Sequence, residues 1–436
     1  MGQQKIYAAL DIGSSAVKVL IGEVSNGQLH VIGDGYAQSS GVKKSAIVDI
    51  EATVQSIKRA VESAERMTNL KIDEVILGIP ANQIALQSAK GVVAVNSENK
   101  EITDEDLHRV MESAQVMSIS PDRELVNIIP RQFIVDSLGE IQDPRGMMGV
   151  RLEVETTLIT TSRTLGHNLM RCVERAGLNI REIVLQPLAG GHLALTQDEL
   201  NQGTAYIDIG GGSTTIALFE NGILQQTAII PVGGDHVTKD LSIVLKTTTE
   251  SAEQIKYQYG HAYLEEASDT ELFEVPVIGA ESKDQYSQKY IAEIIGFRLA
   301  ELFDMVLDEL ERMGVQDLPG GIVLTGGMAK MEGIAQLARQ IMQTRVRIYT
   351  PDYIGIRDPG YTTAVGLIHY MADQDAFFGE PNAGSLTDPE NYSSYRNENQ
   401  EWTPSENDDA DDDANSTKKT KNVKSTFKAF ISRIFE

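Results

Sequence analysis

A chain of 436 residues exceeds what one hydrophobic core usually serves, so at least two lobes with accessory segments are expected. With 41% hydrophobic and 23% charged residues, most of it can bury enough apolar surface to offset the entropy of ordering. A formal charge of -25 argues against nucleic-acid binding, which needs a basic surface, and the lone Cys172 excludes an internal disulfide and a cysteine zinc site and points to a reducing compartment.

The N-terminal MGQQKIYAALDIGSS breaks its apolar run at Asp11 and offers no small-residue cleavage site, so it does not read as a secretion signal. It also lacks the hydroxyl residue that N-myristoylation requires at the sixth position. In chain order, apolar runs predict strands at KIYAALDIG, EVILGIP, REIVLQP, TAYIDIG and GGIVLTGG. Between them, helical spacing marks IEATVQSIKRAVESAERM, TLGHNLMRCVERAG, QKYIAEIIGFRLAELFDMVLDELERMG and, beginning near Met331, MEGIAQLARQIMQ. Alternation of the two kinds predicts an α/β fold. No run of about 18 apolar residues is present, so no membrane span is expected.

One pattern occurs twice. YAALDIGSSAVKVLIGEVSNGQLHVIG and AYIDIGGGSTTIALFENGILQQTAIIP both read strand, Asp-Ile-Gly with small hydroxyl residues, strand, Asn-Gly, strand. Asn-Gly between alternating apolar runs is a strong hairpin signal, so each copy is expected to be an antiparallel meander within a duplicated domain. The Gly/Ser turns expose backbone N–H groups and hydroxyls suited to phosphate oxygens. Asp11 and Asp208 end their strands beside these turns. Two carboxylates next to phosphates call for a divalent cation, and Mg²⁺ retaining its waters suits them. Lys18, on the strand that follows, offers a positive charge to the same phosphates. Gly326 and Gly327 form a third turn, between a strand and a helix, where backbone can approach a flat ligand. The sequence has no G-x-x-x-x-G-K-[ST], which disfavours a P-loop enzyme.

Charge divides the C-terminal part. Residues 373–417 hold thirteen Asp and Glu against one Arg and read as a disordered acidic linker, whereas 418–436 hold six Lys and Arg against Glu436. In VKSTFKAFISRIFE, helical spacing aligns Val423, Phe427, Phe430 and Ile434, with Ile431 and Phe435 beside them and Lys424, Lys428 and Arg433 flanking. A helix of that kind suits an anionic lipid surface.

The three turns, in this order, resemble the phosphate-1, phosphate-2 and adenosine motifs of the actin, sugar-kinase and heat-shock chaperone ATPase superfamily. On that resemblance Asp11, Gly13, Ser14, Ser15 and Lys18 form the first. Asp208, Gly210, Gly211, Gly212, Ser213 and Thr214 form the second, and Gly326, Gly327 and Met328 the third. Glu253 and Lys256 fall where chaperone-like members contact ribose and base, and Gln186, in VLQPLAGG, resembles a Gln that orients an attacking water. Asp208 and Gln186 are thus the catalytic candidates. IPRQFIVDSLGEIQDPRGMMGVRLEVE is similar to the inserted subdomain of the FtsA family of bacterial cell-division proteins, and this resemblance covers the whole length.

It implies an actin-like (ribonuclease H-like) duplicated α/β ATPase fold, with two lobes around a nucleotide cleft and an FtsA-type insert. The implied boundaries are 1–82 and 165–202 for subdomain 1A, 83–164 for insert 1C, 203–242 and 317–372 for 2A with its closing helix, 243–316 for 2B, then linker and tail. The implied function is that of an ATP- and Mg²⁺-binding protein with weak or no turnover. Such a protein self-associates, meets other division proteins, binds the C-terminal peptide of the tubulin-like FtsZ and tethers its filaments to the cytoplasmic face of the membrane at the septum. Arg298, by similarity, and Lys289, by charge alone, are candidates for meeting that peptide. Two alternatives are a small-molecule kinase with Asp208 or a nearby carboxylate as general base, which has no use for a membrane tail, and a pilus-assembly relative, which should lack the acidic linker and terminal helix.

Overall fold

The computed structural model describes residues 5–116, 119–280 and 282–379. These form two compact units, 5–236 with 302–379, and 237–301.

Two five-stranded sheets organise the first unit. One runs in the order Asn179–Leu185, Glu74–Ile79, Lys5–Ile12, Ala16–Ser25, Gln28–Gln38; the other runs Val346–Ile348, Gly321–Thr325, Thr204–Ile209, Thr214–Glu220, Ile223–Ile230. In each, three consecutive strands form an antiparallel meander, a fourth pairs in parallel with its first strand, and the fifth pairs in parallel with the fourth. The sequence repeat is therefore a repeat of topology. Both Asn-Gly turns have both residues at positive φ, 52° and 75° at Asn26 and Gly27 and 54° and 78° at Asn221 and Gly222. That is the left-handed pair a two-residue hairpin needs to match strand twist.

Helix Ile50–Thr68 starts at Asp49, whose carboxylate accepts a hydrogen bond from the Ala52 amide at 3.0 Å, and stops at Asn69 in the left-handed region. Its buried residues Val54, Ile57, Ala60, Val61 and Ala64 recur every three or four positions and lie against strands Ala16–Ser25 and Gln28–Gln38. Strands Ala85–Ala94, Arg151–Ser162, Arg123–Val135 and Leu138–Ile141, in that order, form a four-stranded sheet with helix Asp104–Gln115 packed against it. Leu107, Val110, Phe133, Leu152 and Val154 belong to the core of this insert.

Two boundaries differ from expectation. The closing helix spans Thr362–Phe378 and so continues past 372, because Asp375 is buried and Phe377 and Phe378 pack on the insert's core. After the third glycine-rich turn comes a 3-10 helix, Gly327–Lys330, and the α-helix begins at Ile334 rather than near Met331, since Gly333 sits at φ 78° and interrupts the chain.

In the second unit, helix Thr249–Tyr259 is capped by Thr248, the hairpin Leu272–Pro276 with Lys283–Ser287 stacks Phe273 on Tyr259 at 4.2 Å, and helix Gln288–Arg312 begins. Ile291, Ile294, Ile295 and Leu299 supply its buried face. This helix runs beyond Glu301 into residues of the first unit. Among the described residues no helix is long and apolar enough to cross a membrane. Most of the expected acidic linker, from 380 on, and the whole tail, with Val423, Phe427, Phe430, Ile431, Ile434 and Phe435, lie outside the described residues.

Candidate functional site

The first unit brings the three glycine-rich turns together. Each meander closes its first corner in the same way: the amide of Gly13 donates to the Ala16 carbonyl at 2.9 Å, and that of Gly210 to the Ser213 carbonyl at 3.0 Å. The two corners then face each other. A Cβ on Gly212 would lie 2.6 Å from the Ser14 Cβ, and one on Gly211 would lie 2.9 Å from the Ser15 Cβ, so only glycine permits this approach. Ser15 Oγ also donates to Asp235 Oδ1 at 3.2 Å.

Gly326 adjoins the same place. Its φ of 89° and ψ of 169° are open to glycine almost alone, and an added Cβ would collide with Asp208 Oδ1 and lie 2.6 Å from the Ile209 carbonyl oxygen. Gly327 has open space instead, and Met328 is buried. Thr214, also buried, donates its hydroxyl to the Val232 carbonyl at 2.8 Å, which supports the second turn from behind.

Asp11 is paired in register with Lys18 across the first meander and accepts from Gln186 Nε2 at 2.8 Å. Asp208 accepts from Thr363 Oγ1 at 3.3 Å. Burial raises the Asp208 carboxyl to about 6, with Lys18 opposing the shift and the negative charge of Asp11 adding to it. Burial likewise raises Asp11, against the pull of Lys18. The two carboxylates are thus close enough to repel each other, and Lys18 is close enough to temper both. Lys18 donates to the Gly360 carbonyl and lies 5.3 Å from the Tyr361 ring centre.

Several contributing residues escaped the sequence reading. Ser45 Oγ lies 2.8 Å from Ser213 Oγ while the Ser45 amide donates to Ser14 Oγ at 3.1 Å, so a single residue touches both phosphate-type turns. Its only sequence signal is the polar segment KKS, which is unremarkable. The run Asp358–Thr363 touches all three turns. Gly360 holds Lys18, Thr363 holds Asp208, and the Pro359 carbonyl accepts from the Gly326 amide at 3.2 Å. Asp-Pro-Gly announces a turn in the sequence but not what that turn meets.

The second unit holds Glu253, Lys256, Lys289 and Arg298. Lys256 is 3% exposed and donates to Thr238 Oγ1 at 2.7 Å, with Glu253 3.7 Å away. Arg298 grips Asp240, with Nε 2.5 Å from Oδ2 and the second nitrogen 3.0 Å from Oδ1, and also pairs with Glu301. Lys289 is more exposed and pairs with Asp269 at 2.8 Å.

Comparison with known proteins decides the family. The family model for "Cell division protein FtsA" matches residues 205–366, and that for "SHS2 domain inserted in FTSA" matches 81–160. Cell division protein FtsA of Bacillus subtilis (strain 168) is 54% identical over 370 residues, covering 85% of this chain and 84% of the relative. FtsA of Enterococcus hirae is 39% identical over 443 residues and covers 100% of both. The chain belongs to the FtsA family of cell-division proteins. Its fold is actin-like with the family's SHS2 insert. Solved structures that share this fold are the PilM-PilN type IV pilus biogenesis complex (18% identity, TM-score 0.57, 86% of this chain and 99% of that one) and MreB 5 of Spiroplasma citri bound to AMPPNP (15%, 0.55, 85% and 97%). The MamK double helical filament is a third (14%, 0.51, 84% and 98%). FtsA-family membership sets this chain apart from the pilus proteins, whose likeness is one of fold.

Proposed function

We propose that this FtsA-family chain binds ATP with Mg²⁺ at the three convergent turns, self-associates, and tethers FtsZ filaments to the cytoplasmic face of the membrane at the division septum. The observation that carries the nucleotide reading is the approach of Gly211 and Gly212 to Ser15 and Ser14 around two mutually repelling carboxylates. Such a site is short of positive charge and rich in N–H and hydroxyl donors. It fits a cation-bound polyphosphate, whose metal supplies charge neutralisation when bound. Among the described residues no cluster of three or more His, Cys, Asp or Glu is placed to hold a metal. Asp11 and Asp208 therefore suit a cation that keeps its waters and takes its other ligands from phosphate.

The chain's own groups divide the work. Ser14, Ser15, Gly211, Gly212 and Ser213 are assigned as phosphate donors from two sides, Gly13, Gly210 and Thr214 shape the turns through the hydrogen bonds they already make, and Lys18 supplies a fixed charge. Gly326, Gly327 and Met328 present backbone to the adenosine, to which Glu253 and Lys256 are assigned as well. Gln186, whose Nε2 donates to Asp11, is assigned by similarity to orienting water, and weak or absent turnover is compatible with that assignment. Solved relatives of the fold bound to AMPPNP or assembled as a filament support nucleotide binding and self-association.

FtsZ binding is assigned to the second unit. Lys289 is the more accessible cation there for an acidic-apolar peptide. Arg298, held by two carboxylates, would meet the peptide through exchange of partners or act by shaping the surface. Membrane attachment is assigned to 418–436 on its pattern of apolar and basic residues.

The test is liposome co-sedimentation with anionic vesicles, with and without Mg-ATP, of the full chain and of a chain ending at Thr417, alongside titration with a fluorescent ATP analogue. The expected result is loss of lipid binding on truncation with nucleotide binding retained. Equal sedimentation of both chains would remove the tethering role, and absence of nucleotide binding would remove the role of the turns.

A further inference from the structure

The closing helix Thr362–Phe378 connects two places that are far apart in the sequence. At 1.5 Å per residue its 17 residues span about 25 Å. Its first turn belongs to the site described above. Thr363 donates to Asp208, Thr362 Oγ1 lies 2.6 Å from Thr325 Oγ1, and Gly360 and Tyr361, just before the helix, hold Lys18.

Its last turn is fixed twice over. Buried Asp375 accepts from Tyr7 Oη at 2.8 Å and from Arg181 at 2.6 Å, which ties the helix to the first sheet. Beyond it, Phe377 and Phe378 leave that sheet and pack on the insert's core, with Phe377 stacked on Phe133 at 6.4 Å and Phe378 6.4 Å from His108. Arg145, in the loop after strand Leu138–Ile141, completes the contact. Its guanidinium lies 4.9 Å from the Phe377 ring centre and donates to the Phe377 carbonyl at 2.9 Å. Asp143 at 2.7 Å and Asp104, at the start of the insert's helix, at 3.3 Å hold that guanidinium in place.

A helix with packed partners along its length moves as a body, so a shift at one end must be accommodated at the other. We infer that the closing helix is a coupling rod: occupancy of the phosphate turns and the seating of the inserted subdomain are linked through Thr363 at one end and the Arg145–Phe377–Phe378 latch at the other. The inference rests on the nucleotide reading above. It adds a route by which nucleotide would influence whatever the insert contacts, and reciprocity requires that a partner gripping the insert change nucleotide affinity by the same factor.

Hydrogen exchange on the full chain, with and without Mg-ATP, tests this, comparing the wild type with R145M and with F377A/F378A, while a fluorescent ATP analogue reports binding in each. In the wild type, ATP is expected to slow exchange in 104–115 and 141–147 by about fivefold or more. In both variants that response should fall to within about twofold of no effect, with ATP affinity altered by less than about tenfold. Two variants with different chemistry guard against one that merely folds badly. If ATP binds the wild type and the insert's exchange does not respond, or responds equally in the variants, the coupling is refuted while the nucleotide site stands. If ATP does not bind, both fall.

Discussion

Gly326 and Gly327 are neighbours in one turn, yet the structure predicts opposite outcomes for the same substitution. Gly326→Ala places a Cβ against Asp208 Oδ1, 2.6 Å from the Ile209 carbonyl oxygen and 2.7 Å from its amide nitrogen, at φ 89° and ψ 169°. The backbone region alone costs an L-residue about 1–3 kcal/mol. The collision with backbone of a central strand adds to this, since Ile209 is fully buried and its strand is paired on both sides. A loss of about 3 kcal/mol or more is expected. Gly327→Ala meets nothing within 4 Å and has an ordinary φ at the start of a 3-10 helix. It should be neutral or gain up to about 0.5 kcal/mol from a less flexible unfolded chain. Urea denaturation followed by circular dichroism measures both. Equal midpoints for the two variants, or a greater loss for Gly327→Ala, would refute this account of the turn.

Asp208→Asn should stabilise the nucleotide-free protein at pH 7.5 by up to about 3 kcal/mol, because a carboxyl raised from 3.8 to about 6 loses stability as pH climbs through that interval and regains it below. The gain should vanish at pH 4 and Mg²⁺-dependent nucleotide binding should fall, which thermal melts at the two pH values and an ATP titration with and without EDTA would report. Glu199 behaves in the opposite sense. Its hydrogen bonds from Arg347 lower it to about 2, so its contribution is present above about 4.5 and lost as pH falls toward 2, and Glu199→Gln should flatten the urea stability profile across that window. Arg298→Ala, which strips buried Asp240 of its partner, should cost about 2–3 kcal/mol, whereas Lys289→Ala at an exposed pair should cost less than about 0.5. Weaker binding of an FtsZ C-terminal peptide by the lysine variant at unchanged stability would mark a contact residue.

Periodicity and turn chemistry suffice to locate most elements here, because they depend on neighbours in the chain. The twin meanders follow from alternating apolar runs around Asn-Gly, and helix Ile50–Thr68 from its apolar stripe and Asp49 cap. Asp11, Lys18 and Asp208 are legible as candidates for the same reason. Each occupies a strand position fixed by a local motif. What no local pattern contains is which distant segments meet. Ser45 between Ser14 and Ser213, Asp235 against Ser15, and the Asp358–Thr363 run across all three turns depend on how the two sheets close on each other. The same limit applies to charge. Sequence presents Arg298 as a candidate peptide contact, and only the fold shows it held between Asp240 and Glu301. Likewise the closing helix outran its expected end because Asp375, in an acidic stretch that reads as solvated linker, finds Tyr7 and Arg181 more than a hundred residues away. Local geometry and hydration are written in the chain; partners for buried charge are chosen by packing.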